Sequence, residues 1–370
     1  MRNFEFFVIA SIFMALFLNI ATFNDTISDA SDRQLILQEV GQINTGGDAH
    51  DVQVTGNYVF VADMSELTGG LRVIDISDPK NPVEVWRNYN DGITHQILIK
   101  GNLLFIADWY RGLRIMDISD PTNPEEISRF DDGGEIHDVV VIDETAFLAD
   151  IEDGLEILDV SDPSNPIEVG QYDKGWNFFR VYAVKEFVYI MDFQNGITII
   201  NVNNLTNPHE LTQYSEGGDT YEMKINGDFA YAASFNEGFV VYNVCDPINP
   251  QKIGTCYNNG NVVDLDVISN LALVADYSDG LELIDISDPT NPVEVAQYFD
   301  GGKNKSVSGA DDYAFIGDCE DGLEIIKIWE EQTTTSFTSQ TTISTKPDSY
   351  STTTEMTTTE ITTSESVSSP

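Results

Sequence analysis

Residues 70–85 read GLRVIDISDPKNPVEV. The run Leu71 to Ile76 alternates in a β-branched pattern that favours a strand over a helix. Ser77-Asp78-Pro79-Lys80-Asn81-Pro82 ends it. Proline has no amide to give a ladder, and Asp and Asn bond their own backbone locally, so this is turn chemistry. Val83 to Val85 opens a second alternating run. The unit is therefore strand, tight turn, strand.

The unit returns. GLRIMDISDPTNPEEI begins at Gly112, GLEILDVSDPSNPIEV at Gly154, GITIINVNNLTNPHEL at Gly196, GFVVYNVCDPINPQKI at Gly238, GLELIDISDPTNPVEV at Gly280, and a shortened GLEIIKIW at Gly322. Successive glycines are 42 residues apart in every case. Seven starts at this period, rich in strand signals, point to propeller blades. The third unit shows four runs: Ile136 to Ile142 (strand A), Thr145 to Ala149 (B), Leu155 to Val160 (C) and Ile167 to Tyr172 (D). The A strands begin near His50, His95, His137, Phe179, Tyr221, Val263 and Lys305. The first unit alone carries an insertion, of three residues, within Met64 to Thr68.

The last unit stops at Trp329 without a fourth strand, while Leu35 to Ile43 stands alone before the first unit. Glu39-Val40-Gly41-Gln42 lines up with Glu168-Val169-Gly170-Gln171 of a D strand. The expectation is an all-β, seven-bladed β-propeller of four-stranded antiparallel blades, 35–329, its ring closed by residues 35–43 completing the last blade.

The bulk numbers agree. A single core stops growing near about 250–300 residues, so a chain of 370 residues needs several domains or a repeat. Asp plus Glu number 62 against 18 Lys plus Arg, a formal charge of −44. That balance argues against nucleic acid and against anionic membrane surfaces, and favours cations or basic partner surfaces. The three cysteines, Cys245, Cys256 and Cys319, are no disulfide scaffold, and a Cys245–Cys256 bridge would be offset across its hairpin.

The ends carry other signals. Residues 1–21 have a short basic start, an apolar stretch from Phe6 to Leu18 and small residues after it, the pattern of a secretory signal peptide; an uncleaved N-terminal anchor is the alternative. Residues 22–34 form a polar linker. In 333–370, Thr and Ser make up 24 of 38 residues, so the segment 330–370 is expected to be a disordered tail or glycosylated stalk, free or leading to an anchor. Asn24, Asn204 and Asn304 head N-x-Ser/Thr sites. These features together place the protein outside the cell or on its surface.

The repeated C strand (LRVID, LRIMD, LEILD, LELID) with its DPxNP turn, the preceding VFVAD and LFIAD, and the HDV at His50 and His137 resemble the LVIVD repeat family over residues 35 to 329. The resemblance implies a β-propeller on an exported or surface-attached protein, with no settled activity. Asn201 and Asn243 replace the strand-end Asp in the fourth and fifth units and Lys327 in the seventh, so those blades are expected to be the least regular.

In a four-stranded meander the B–C loops share one face with the loops entering strand A, and the DPxNP turns decorate the opposite rim. The first face collects Asp63, Asp108 and Asp150, and their repeats Asp192, Asp276 and Asp318, at the ends of the B strands. It is the expected ligand face. His50, His95 and His137 occupy one A-strand position in three consecutive blades, flanked by Asp51 and Asp138. A divalent metal such as zinc suits that set. The plainer reading is a structural hydrogen bond repeated from blade to blade, and the His-Asp pair belongs to the pattern the resemblance covers. For the B-strand aspartates, calcium competes with capping of the B–C hairpin amides. Trp109, beside Tyr110 in a B–C loop, and Trp176, entering the fourth A strand, read equally as binding aromatics or as packing between blades.

No phosphate loop, nucleophile elbow or Cys/His nucleophile pair is present. The leading expectation is a non-catalytic surface propeller that binds or adheres to protein, peptide or carbohydrate, with no cofactor and membrane contact only through an anchor. A metal-dependent hydrolase or lactonase at the channel mouth is the alternative, and a structural component of the cell envelope a third.

Overall fold

The computed structural model describes residues 35–330 apart from 47, 65–68, 89–92, 132, 175–177, 193–195, 215–219 and 258–260. Residues 1–21, expected to be a signal peptide, 22–34, expected to be a linker, 331–370 of the expected tail, and Trp176 fall outside the described residues. Among the described residues, twenty-eight strands form seven four-stranded antiparallel sheets. In the third blade they run Ile136–Ile142, Thr145–Asp150, Gly154–Asp159 and Ile167–Tyr172, within a residue or so of the positions the repeat predicts.

The ring closes as expected. Leu35–Ile43 pairs antiparallel with Gly322–Glu330, from Leu35 opposite Glu330 to Ile43 opposite Leu323. The last blade thus takes its outer strand from the start of the fold and its other three from the end. No blade can bury both faces alone, and the apolar clusters accordingly lie between blades. One joins Phe147, Leu155 and Ile157 to Phe178, Val181 and Ile190 of the next blade. Another joins Val52 and Val59 of the first blade to Phe315, Leu323 and Ile325 of the seventh, so the closing seam is packed like the other interfaces.

The repeating glycine has a physical cause. All seven, Gly70 to Gly322, have positive φ, between 74° and 127°. This is a region that only glycine enters at no steric cost. At Gly154 a Cβ would also overlap the carbonyl oxygen of Tyr172 at the end of the outer strand. The 42-residue rhythm is therefore set by a left-handed kink that starts each C strand directly against its D strand.

The DPxNP turns serve the blade interfaces. Asp75 Oδ1 accepts from the Ser77 amide (2.8 Å), and Asp78 holds its turn through the Lys80 amide (3.2 Å) and the Asn81 side chain (2.9 Å). The preceding blade's outer strand then rests on the turn. A Cβ on Gly41 would strike the Pro79 carbonyl, and one on Gly170 the Leu205 carbonyl, while Ser128 at the equivalent place donates to the Pro163 carbonyl at 2.6 Å. The fourth and fifth blades are as regular as the rest, contrary to the expectation. Asn201 and Asn243 accept from the amides two residues on at 3.0 Å, because an amide oxygen replaces a carboxylate oxygen in this turn without loss.

Asn304 is 2% exposed in strand A of the last blade, with its amide between Asp318 Oδ2 (3.2 Å) and the Leu281 amide (3.1 Å), which excludes it as a glycan acceptor in the folded protein. Asn204 is exposed. All three cysteines are free thiols.

Replacing Gly154 by valine should lower stability by roughly 2–4 kcal/mol, combining backbone strain and overlap. Gly301→Ala, also at positive φ (106°) but with open space around it, should cost less than half of that. Denaturant midpoints of the two variants check the difference.

Candidate functional site

The A strands bring one side chain from each blade to the mouth of the central channel: His50, His95, His137, Phe179, Tyr221, Val263 and Lys305. The next ring inward is polar: Asp51, Gln96, Asp138, Arg180, Glu222, Asp264 and Ser306. A bulge at the start of each A strand lets both rings turn toward the axis.

The structure brings the three histidines together. His50 and His95 have ring centroids 4.2 Å apart, and His95 and His137 4.3 Å. The arc continues to Phe179, 4.7 Å from His137, and receives Trp109 at 4.4 Å from His137. His50 Nδ1–H donates to the His95 carbonyl at 2.9 Å, but the equivalent Nδ1 atoms of His95 and His137 have no partner among the described residues, so this bond is not repeated from blade to blade. Burial pushes all three imidazoles well down, His50 and His137 to about 3. Lys305 adds to this at His50, and Arg180 at all three. They are neutral at physiological pH, the form that packs as an aromatic ring and also the form that ligates metal.

Asp51 and Asp138 are buried and face the next blade. Asp51 Oδ2 accepts from the Ile97 amide and Asp138 Oδ2 from the Val181 amide, each at 2.9 Å, and Asp264 repeats this with Val307 at 2.8 Å. Burial raises Asp51 to about 7 and also raises Asp138, against the pull of Arg180. Arg180 crosses the channel. Its Nη1 donates to Gln96 two blades away, its Nε to the Tyr221 carbonyl (3.1 Å), and Glu222 lies at 3.7 Å. Burial opposes its charge, but Asp138, Glu222 and Asp264 outweigh that. The Arg180 guanidinium thus links three blades below the mouth.

The B-strand aspartates depart from the expected ligand face. Asp63, Asp108 and Asp150 are fully buried, because each is consumed internally. Asp63 pairs with Arg72 (3.0 Å) and Asp108 with Arg114 (3.4 Å). Asp150 Oδ1 caps the Glu152 and Asp153 amides at 2.7 and 2.8 Å. They hold the B–C hairpins from inside the fold. Trp109 is half-buried against His137, so it packs between blades, whereas Tyr110 is 63% exposed.

Above Arg180 lies a cavity of about 310 Å³. Phe179, Tyr221, Phe235 and Tyr277 form its aromatic wall, and His50 and Lys305 its polar edge. The ammonium of Lys305 is held by Asp48 at 2.7 Å. The histidines alone singled out this ring in the sequence. Phe179, Tyr221 and Lys305 stand at the same A-strand position, and Phe235 and Tyr277 directly follow the end of a B strand as Trp109 does. The sequence already aligns the A-strand position, and aligning the residue after each B strand as well would have found the rest of the wall.

The LVIVD repeat family matches the chain over residues 46–90, 91–132, 133–174, 180–216, 217–257, 259–300 and 301–331. No curated protein sequence matches it. Among solved structures, the β-propeller domain of Cps50 (Swd1) from Myceliophteria thermophila is similar with a TM-score of 0.63 at 10% identity, covering 79% of this chain and 99% of that one. The computationally designed protein Ika8 is similar with a TM-score of 0.60 at 9% identity and the same coverage. Likeness at this identity speaks for the fold alone.

Two outcomes test the channel electrostatics. The folded state disfavours charging His137, so its stabilising contribution is full above about pH 6.5 and is lost as pH falls toward 3. At pH 5 the loss is about 2 kcal/mol, and His137→Phe should show a correspondingly flatter fall in melting temperature between pH 7 and pH 5. Arg180→Leu should cost roughly 3–5 kcal/mol in a denaturant titration, since it leaves Asp138 without its cation and Glu222 and Asp264 with Lys224 alone.

Proposed function

The chain belongs to the LVIVD repeat family, and from that premise we propose that its propeller is a non-catalytic binding module that takes a peptide or carbohydrate into the cavity at the channel mouth. One observation carries the reading: a cavity of about 310 Å³ walled by Phe179, Tyr221, Phe235 and Tyr277 over a fixed polar floor. Concave aromatic walls with a few oriented polar groups are the usual make-up of a small-ligand site. The faces of Tyr and Phe suit the apolar face of a sugar ring or a peptide side chain.

The rest of the chemistry on that face supports binding over hydrolysis. The three histidines pack ring against ring and against Trp109 and Phe179, and their Asp neighbours bond to backbone amides of the next blade. We place the module outside the cell, at the surface, on the export pattern of residues 1–21 and the Thr/Ser-rich segment 330–370.

Glycan and peptide arrays probed with the full protein test the reading, followed by titration of the hits. Phe235→Ala and Tyr277→Ala should each weaken a hit at least tenfold, while Asp120→Ala on the turn rim leaves it unchanged. Hits insensitive to the two aromatic substitutions, or lost with Asp120→Ala, would overturn it.

A further inference from the structure

The third residue of each C strand shows what one buried slot in the blade requires. In the first blade it is Arg72, 3% exposed, whose guanidinium lies between Asp63 (3.0 Å) and Glu84 (2.8 Å). In the second it is Arg114, between Asp108 (3.4 Å) and Glu126 (2.9 Å). Both blades build a cation in between the B-strand Asp and the D-strand Glu.

The seventh blade keeps both carboxylates and inverts the residue between them. Strand register puts Asp318 where Asp63 stands, opposite the glycine of the C strand, and Glu39 where Glu84 stands, opposite the fifth residue of that strand. The Arg position holds Glu324. Glu324 is 0% exposed, and among the described residues no hydrogen-bond donor reaches either of its carboxylate oxygens. Further acids are drawn up to it. Asp300, from the loop entering the blade, and Asp321, from the B–C loop, bring carboxylate oxygens that lie with those of Glu324 all within 4.8 Å of one another.

The neighbours are otherwise committed. Asp318 caps the Glu320 and Asp321 amides (2.7 and 2.9 Å) and accepts from Asn304, Glu39 accepts from the Tyr298 hydroxyl at 3.0 Å, and Lys303 is paired outward with Glu320 at 3.0 Å.

We propose that Asp300, Asp321 and Glu324 form a calcium site that replaces, in the seventh blade, the guanidinium of the first two. Oxygens within 4.8 Å of one another can all touch one ion at the ~2.3–2.6 Å of calcium–oxygen bonds, and an all-carboxylate set with two members on loops suits a hard cation of flexible coordination. The site lies at the closing blade, beside the strand Leu35–Ile43, so the ion strengthens the seam of the ring. The competing arrangement is a proton shared between Glu324 and Asp300, since burial and then Asp300 raise the Glu324 carboxyl to about 9.

Calorimetric titration of the full, chelator-treated protein with CaCl₂ at pH 7.5 and 0.5 M NaCl, where diffuse attraction to the acidic surface is screened, tests the site. Wild type should bind calcium saturably, and Glu324→Gln should bind one equivalent fewer. Counting the change matters because Glu156 and Glu282 hold the same position in the third and sixth blades. Glu324→Arg should likewise lose that equivalent, and its calcium-induced rise in melting temperature should be smaller than that of wild type. Should Glu324→Gln fail to fold, Asp321→Asn, whose side chain is only half-buried, should bind that equivalent at least tenfold more weakly. The absence of saturable binding by wild type, or an unchanged number and affinity in a folded Glu324 variant, would overturn the proposal in favour of the shared proton.

Discussion

A propeller of these blades depends on one antiparallel pairing, that of Leu35–Ile43 with Gly322–Glu330. Six of the seven interfaces form between blades consecutive in the chain, and the seventh joins residues more than 250 positions apart, as in the Lys305–Asp48 pair. An open ring would leave two apolar blade faces and an unpaired strand edge in water, and such edges invite association with other chains. Closure packs Val52 and Val59 on Phe315, Leu323 and Ile325, and every other contact in the ring then becomes mutual. The proposed calcium cluster stands on this same blade, where Glu39 of the closing strand meets Tyr298 of the sixth.

Architecture absorbs most of the conspicuous residues. The glycines are needed for positive φ, the turn aspartates for their own amides, and the turn carbonyls for the neighbouring outer strand. Asp63, Asp108 and Asp150 hold hairpins, and Asp51, Asp138 and Asp264 tie one blade to the next. What the architecture leaves open is the cavity at the channel mouth, walled by Phe179, Tyr221, Phe235 and Tyr277, which is why the binding reading rests there and away from the repeated motif.

The fold was legible because its determinants are local and repeated. A glycine every 42 residues, a proline-bounded turn and alternating strands each have a backbone cause, and the match of Glu39 to Gln42 with Glu168 to Gln171 exposed the closure. The site was only half legible. The histidines stood out as a residue type, but burial is invisible in a linear pattern, so the B-strand aspartates looked available when they are fully enclosed. Arg180 drew no notice because its partner Gln96 lies 84 residues away across the channel. The contrast between Arg72 and Glu324 was present in the aligned repeats, yet it acquires meaning only once the strand register sets Asp63 and Glu84, and then Asp318 and Glu39, around that position.

The central claim is that ligand chemistry lies at the channel mouth and that the repeated turns are structural. Hydrogen–deuterium exchange of the full protein, with and without its tightest-binding peptide or glycan, tests it most directly. The account predicts slowed exchange in Phe178–Val184 and Thr220–Asn226 and in the hairpins carrying Phe235 and Tyr277. The turns at 77–82, 119–124 and 161–166 should be unchanged. Protection concentrated in those turns, with the channel mouth unaffected, would contradict it.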